Sequence, residues 1–413
     1  MKKKLKRIAE RLIEAVFTLS GGITSLAIIL IIVFLFKEGA GLFGNPTVEH
    51  GYELCVNAEN PVKKLSSQEI KQIFDGDITN WNEVGGRNEE IMLFRFDDIF
   101  NVYPEEEFGA DYEFLPTKID EYIALNKNII AFIPEKYLLN EELRTKNEEL
   151  GQQPNSSFYI LHSSLISPAD FFNGKEWLPT ATPAAQFGVL PLILGTLLVS
   201  IVAIIIALPL GLGAAIYLSE LAGERVRRVL KPAIELLAGI PSVVYGFFGL
   251  VVLAPLIQST FDLAVGETAL AGSVILAIMA LPTIISVSED AMRNTPRTMR
   301  EASLALGADR WQTVYKVVVP YASSGIAAAV VLGIGRAVGE TMAVLMVTGN
   351  AAVMPTSLFE PVRTIPATIA AELGEAPAGG AHYQALFLLG CILFLITLVI
   401  SLSAEMIKKR RLE

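Results

Sequence analysis

Six apolar runs of membrane-crossing length constrain this chain more than any other feature. They fall at residues 12–36, 190–217, 232–257, 270–287, 322–347 and 383–407. A hydrocarbon core takes about 20 helical residues, and only helices or closed barrels satisfy their backbone polar groups inside it. The runs therefore predict six transmembrane helices. Composition agrees: 52% of residues are hydrophobic, only 18% are charged, and mean hydropathy is +0.48. An ordinary soluble globular chain is excluded on those grounds.

Charge fixes the expected orientation. The head MKKKLKR, the loop GERVRRVLK and the tail KKRR are basic, which assigns them, and both termini, to the cytoplasmic side. The first run is longer than a signal-peptide core and lacks a clear small-residue cleavage site, so a permanent span is expected. The net charge of −10 is unevenly spread. Residues 37–185 hold about 26 acidic and about 12 basic side chains, a net of about −14, which leaves about +4 on the rest. The two parts are expected to face different solvents. The expected organisation is a basic N-terminus (1–11), a first span (12–36), an acidic extracytoplasmic insert (37–185), a five-helix core (186–407) and a tail (408–413). Cys55 and Cys391 fall in the insert and in a span, so no disulfide is expected, and three scattered histidines give no metal-ligand spacing. No basic-aromatic patch points to nucleic acid.

Within the insert, Ser66-Ser67-Gln68-Glu69 reads as a helix N-terminus leading into Ile70, Ile73 and Phe74. Asp75-Gly76-Asp77 ends that helix, Ile78-Thr79-Asn80-Trp81 is expected to continue extended, and Gly85-Gly86 is a turn. The segment predicts a small α/β domain. It resembles a stretch of periplasmic phosphate-binding proteins, and Ile129 to Pro134 resembles a later strand of them. The resemblance implies a Ser/Gly/Thr-rich anion-binding turn. Here the corresponding residues are Phe94-Arg95-Phe96-Asp97-Asp98-Ile99-Phe100, and the nearby Glu105-Glu106-Glu107 run would repel an anion. The insert is expected not to bind phosphate itself. It is either a docking element for a binding protein or a spacer.

Between the fourth and fifth runs lies EASLALGADRWQTVYKVVVP, residues 301–320. Arg300 to Leu306 suits a helix, Gly307 suits its C-terminal cap, and Trp311, Val314, Tyr315 and Val318 have helical spacing. Pro320 is expected to mark the break before the next span. The spacing of Glu301, Ala302, Gly307 and Pro320 resembles the EAA loop of bacterial ABC import permeases. That resemblance implies a cytoplasmic coupling helix docking on an ATPase subunit. Ser303 departs mildly from the motif's second alanine.

The fifth run contains AVVLGIGRAVGETMAVL, with Arg336 and Glu340 four residues apart and so expected on one helix face. A charge deep in a span costs several kcal/mol by insertion scales and is by default functional. The structural alternative is a pair that neutralises itself. The functional reading is an anion path on which Arg336 attracts the substrate and Glu340 limits how tightly it stays. Gly333, Gly335 and Gly339 are expected to keep that face narrow. Glu235 is a weaker candidate near a span's cytoplasmic end.

Residues 301–350, with GTLLVS and IELLAGIPSVVYGFFGL, resemble the PstC-type permease subunits of phosphate-specific ABC importers. The resemblance covers nearly all of residues 187–413. It implies the all-α, six-helix type I ABC importer permease fold, phosphate passage past Arg336 and Glu340, and location in the bacterial inner membrane. It also implies an ATPase homodimer, a second related permease and an extracytoplasmic phosphate-binding protein as partners. The chain contains no GxxxxGK[ST], so no ATP, other cofactor or enzymatic step is expected on it. A permease for molybdate or sulfate, or a membrane phosphate sensor, are the alternatives. The large acidic insert departs from the family pattern.

Overall fold

The computed structural model describes residues 2–138, 158–161 and 165–410. Met1 of the expected basic head and residues 411–413 of the expected tail lie outside the described residues. The chain separates into two compact units, Met1–Ala40 with Val189–Glu413, and Gly41–Gly188. Among the described residues, six helical stretches are long and apolar enough to cross a membrane: Glu14–Gly44, Leu190–Leu221, Ser242–Phe261, Ala269–Arg293, Arg310–Val338 and Ala381–Ser403.

Helix α1 (Lys2–Ala40) opens the chain. Ile23, Leu26, Ile29, Leu30 and Val33 are all exposed, as suits a helix whose solvent is lipid.

The unit Gly41–Gly188 is built on a four-stranded mixed sheet of order β2-β3-β1-β4. Strands β1 (Tyr52–Asn57) and β3 (Ile129–Pro134) pair antiparallel, β2 (Met92–Arg95) joins β3 in parallel, and β4 (Phe158–Ile160) runs antiparallel to β1. β3 is buried along its whole length because both faces are covered. One face packs α2 (Ser67–Asp75) through Ile70, Ile73 and Phe74; the other packs α3 (Leu115–Leu125) through Leu115, Ile119 and Ile123. The α2 boundaries follow the local signals. Ser66 and Glu69 form a reciprocal capping box, and Gly76 closes the helix at φ 85°. Trp81 corrects one expectation: it begins a 3-10 turn, Trp81–Val84, capped by Asn80, instead of continuing an extended segment. Its burial, with its indole N–H donating to the Asn128 carbonyl at 2.9 Å, outweighs strand propensity. A small ribbon of β5 (Trp177–Leu178) and β6 (Gln186–Phe187) completes the unit.

The other unit is helical. α4 (Leu190–Ile216) ends in a π-turn, Tyr217–Leu221, before α5 (Glu224–Ala238). α6 (Ser242–Phe248), a π-turn Gly249–Leu253 and α7 (Ala254–Phe261) make the third span. α8 (Ala269–Arg293) is the central helix, and α9 (Arg297–Ala305) leads to α10 (Arg310–Thr313). α11 (Val319–Val338), α12 (Met342–Val347), α13 (Ile365–Glu372) and α14 (Ala381–Arg410) follow. The core of α4 against α8 is made of small residues, with Ala203, Ala207, Ala277 and Ala280 buried together. Small side chains let spans approach closely where lipid gives no hydrophobic drive.

Three boundaries differ from the sequence expectation. The third span starts at Ser242, not at residue 232. Residues 232–238 complete the amphipathic α5, and the chain breaks at Gly239-Ile240-Pro241 because the residue before a proline is driven out of the helical region. The fifth span starts at Arg310, not at residue 322. Pro320 is no break: it stands in the first turn of α11, and the π-turn Val314–Val318 runs straight into it. The wider winding of the π-turn just ahead of Pro320 accommodates a residue that has no N–H to give to a regular helical turn. Finally, the apolar run to Val347 is two helices, since α11 stops at Val338 and α12 starts at Met342.

Candidate functional site

The break between α11 and α12 reorders the intramembrane charges. Gly339 caps α11 at φ −89° and ψ 0°, so Glu340 lies beyond the helix and does not share a face with Arg336. Neither forms an ion pair among the described residues. Their placement explains how two half-buried charges persist without each other. Arg336 is in the last turn of α11, where free carbonyls and the helix dipole favour a cation. Glu340 precedes α12, and its Oε1 accepts from the Ala343 N–H at 3.4 Å, where the dipole favours an anion.

On the neighbouring helix α6, Tyr245 packs in one buried cluster with Ala343 and Val347 of α12. Tyr245 is buried, and its hydroxyl donates to the Leu237 carbonyl at 2.9 Å, bridging the Gly239–Pro241 break. α6 reaches α12 because Gly246 has no side chain: a Cβ there would lie 2.8 Å from Met346 Sδ and 3.0 Å from Ala343 Cα. The segment AGIPSVVYG thus packs against α12, which directly follows GRAVGET in the chain. Tyr245 was not singled out in the sequence, where it reads as one more aromatic in an apolar run.

The three glycines of this region divide. Only Gly333 meets another helix closely, with its missing Cβ about 3.0 Å from Ile284 on α8. Gly335 opens on empty space, and Gly339 serves the helix end. Glu235 sits on the exposed polar face of α5, outside any span.

The second part of the site is the hairpin of α9 and α10. Its turn is closed by two bonds, Gly307 N–H to the Leu304 carbonyl (3.0 Å) and Ala308 N–H to the Ser303 carbonyl (3.2 Å). Leu306 is therefore the cap, and Gly307 follows it at φ +87°, a conformation other residues take only with strain. Asp309 starts α10 with a capping box to Gln312. Ser303 Oγ lies 3.0 Å from Thr313 Oγ1, a link that alanine could not make. Glu301 and Ala302 are exposed, and the apolar side chains around them are too: Leu306 is 90% exposed and Trp311 57%. Contiguous apolar residues left bare on a surface mark an interaction site.

The sequence also hid the ionic links beneath this hairpin. Glu289 of α8, only 1% exposed, accepts from Arg227 Nη2 and Lys231 Nζ of α5, both at 2.6 Å. Arg300 Nη2 donates to Glu220 Oε1 at 2.8 Å. On the opposite end of the core, Glu372 takes Arg363 at 2.6 Å and His382 at 2.9 Å. In the unit Gly41–Gly188, the Arg95 N–H is taken by Asp98 Oδ2 at 2.8 Å, in the segment where the resemblance implies an anion-binding turn.

Comparison with known proteins places this architecture. The profile described as binding-protein-dependent transport system inner membrane component matches residues 207–413. The probable ABC transporter permease protein YqgH of Bacillus subtilis is 43% identical over 262 residues, 63% of this chain and 84% of that protein. The phosphate transport system permease protein PstC of Mesorhizobium japonicum is 42% identical over 249 residues, 56% of this chain and 75% of that protein. An inward-facing structure of the MetNI methionine ABC transporter is 20% identical at a TM-score of 0.43, covering 53% of this chain and 94% of that one. With a match over half its length and relatives covered over most of theirs, this chain belongs to the family of binding-protein-dependent transport system inner membrane components.

Proposed function

We propose that this chain is the permease subunit of an ATP-driven importer of inorganic phosphate and forms half of the transmembrane pathway. The observation that carries the reading is its close identity, over most of their length, to permeases named for phosphate transport. Arg336 supports the same substrate class, being a half-buried cation with no anionic partner among the described residues. In this account phosphate passes Arg336, and Glu340, held apart from it at the start of α12, keeps the arginine from binding the anion irreversibly. Glu235 has at most a peripheral role.

The chain lies in a bacterial inner membrane with both termini cytoplasmic. An extracytoplasmic binding protein delivers phosphate, a second related permease completes the pathway, and an ATPase homodimer closes on ATP. The hairpin transmits that closure: Glu301 and Ala302 present the docking face, Gly307 sets the turn, and Pro320 stands where the hairpin enters its span. The chain itself binds no ATP and needs no cofactor.

Uptake of radiolabelled phosphate by cells that depend on this permease, with excess unlabelled molybdate or sulfate, tests the substrate. Uptake that persists against both competitors agrees with the proposal. Competition by either, with transport of the labelled competitor, replaces phosphate with that oxyanion. Deleting residues 63–150 in the same cells separates a docking insert, which loses uptake, from a spacer.

A further inference from the structure

Helix α9 buries none of its own side chains, so apolar packing does not fix it on the bundle. The chain joins it to α8 through residues 294–296 and to α10 through the turn at Gly307. The hydrogen bonds at Gly307 and Ala308 and the Ser303–Thr313 contact hold α9 against α10, which leaves its grip on α4 and α8 to other contacts, and a hairpin that shifts on those spans absorbs a push instead of passing it on.

One polar bracket supplies the grip on α4 and α8. Arg300 Nη2 donates to Glu220 Oε1 and to the Met292 carbonyl, each at 2.8 Å. Met292 is in the last turn of α8, and Glu220 is in the π-turn that ends α4. The Glu220 side chain is 11% exposed, and its ion pair is with Arg300. Arg300 Nε is buried and makes no hydrogen bond, so the hold runs through Nη2. The π-turn supplies the geometry, since its wider winding re-aims the side chains it carries.

We infer that Arg300 and Glu220 are positioning residues for coupling: the bracket makes a displacement of α9 move α4 and α8 together. Without it α9 keeps its docking face but slips against the spans. The inference rests on the reading of this chain as the permease of an ATP-driven importer.

The test uses the complete transporter in proteoliposomes, with wild-type chain, Arg300→Gln, Arg300→Lys, Glu220→Gln and the Arg300→Gln/Glu220→Gln double variant. Phosphate imported per ATP hydrolysed is measured. So is the distance distribution between spin labels on Ala305 of α9 and Leu210 of α4. Either single glutamine variant is expected to lower the import-to-hydrolysis ratio at least about tenfold, the double variant to be no worse than either, and Arg300→Lys to stay within about threefold of wild type. The spin-label distribution should broaden in Arg300→Gln. A ratio unchanged by Arg300→Gln, or single effects that multiply in the double variant, overturns the bracket. If the wild-type complex imports no phosphate, the transport reading fails by itself. The label distances then still decide the bracket, since an equally narrow distribution in Arg300→Gln refutes it.

Discussion

Replacing Glu289 with Gln should loosen α5 from the bundle. The carboxylate is 1% exposed and holds Arg227 and Lys231, each at 2.6 Å, with Arg293 at 3.7 Å. α5 buries no side chain fully, so beside Ile234, which packs against the cluster of Ile285 and Met292, this clamp holds it to α8. Glutamine keeps the shape but removes the charge and turns an amide N–H₂ toward cations. Breaking one side of a buried ion pair costs about 3–5 kcal/mol. Arg227 and Lys231 are 21% and 27% exposed and regain some water, which puts the loss near the low end, about 3 kcal/mol. At about 2–4 °C per kcal/mol for a unit of this size, the unfolding midpoint in detergent should fall by about 6–12 °C. The pH dependence has a definite sign. The hydrogen bond that Lys231 donates to Glu289, outweighing burial and helped by its bond to Asp290, holds the Lys231 ammonium above the usual lysine range. A raised lysine pKa gives stability that is complete below the unfolded value, about 10.4, and is lost as pH rises through the folded value. The gap between wild type and variant should therefore be flat from neutral pH to about pH 10 and narrow above it. A midpoint shift under about 2 °C, or a gap that closes below pH 9, would refute the clamp.

Two glycines and one cap give further tests. Gly246→Ala, forced against the Ala343 backbone, should destabilise the α6–α12 contact by about 1–3 kcal/mol, whereas Gly335→Ala, facing open space inside a helix, should be neutral or stabilise by up to about 1 kcal/mol. Comparing the two unfolding midpoints in one detergent checks the assignment, and equal losses would contradict it. Ser66→Ala should cost about 1 kcal/mol and lower hydrogen-exchange protection of the α2 amides about fivefold, because it deletes half of a capping box. Unchanged protection there would show that the cap does not hold the helix.

Spans, caps and turns were legible in the sequence because each is set by a few adjacent residues. The helix start at Ser66 and Glu69 and the glycine after α9 follow from local rules, and the strand Ile129–Pro134 stands where the resemblance implies one. What escaped the sequence depends on neighbours in space. Nothing in the run from Ala322 to Val347 announces that it is two helices, and a spacing of four residues at Arg336 and Glu340 suggests a shared face that the break at Gly339 removes. Glu289 reads as a solvated charge at a span's end until α5 folds back with Arg227 and Lys231. Pro320 reads as a stop until a π-turn carries the helix into it. Two motifs were visible in the sequence, but not the packing of α6 on α12 through Gly246 and Tyr245.

The central claim is that phosphate passes Arg336. Uptake of labelled phosphate by Arg336→Gln, at equal membrane abundance and with assembly of the ATPase checked, tests it most directly. A charge-assisted hydrogen bond to an anion is worth about 1.5–3 kcal/mol, so uptake should fall by about ten- to a hundredfold. Uptake at the wild-type rate would make Arg336 a helix-end charge with no part in transport.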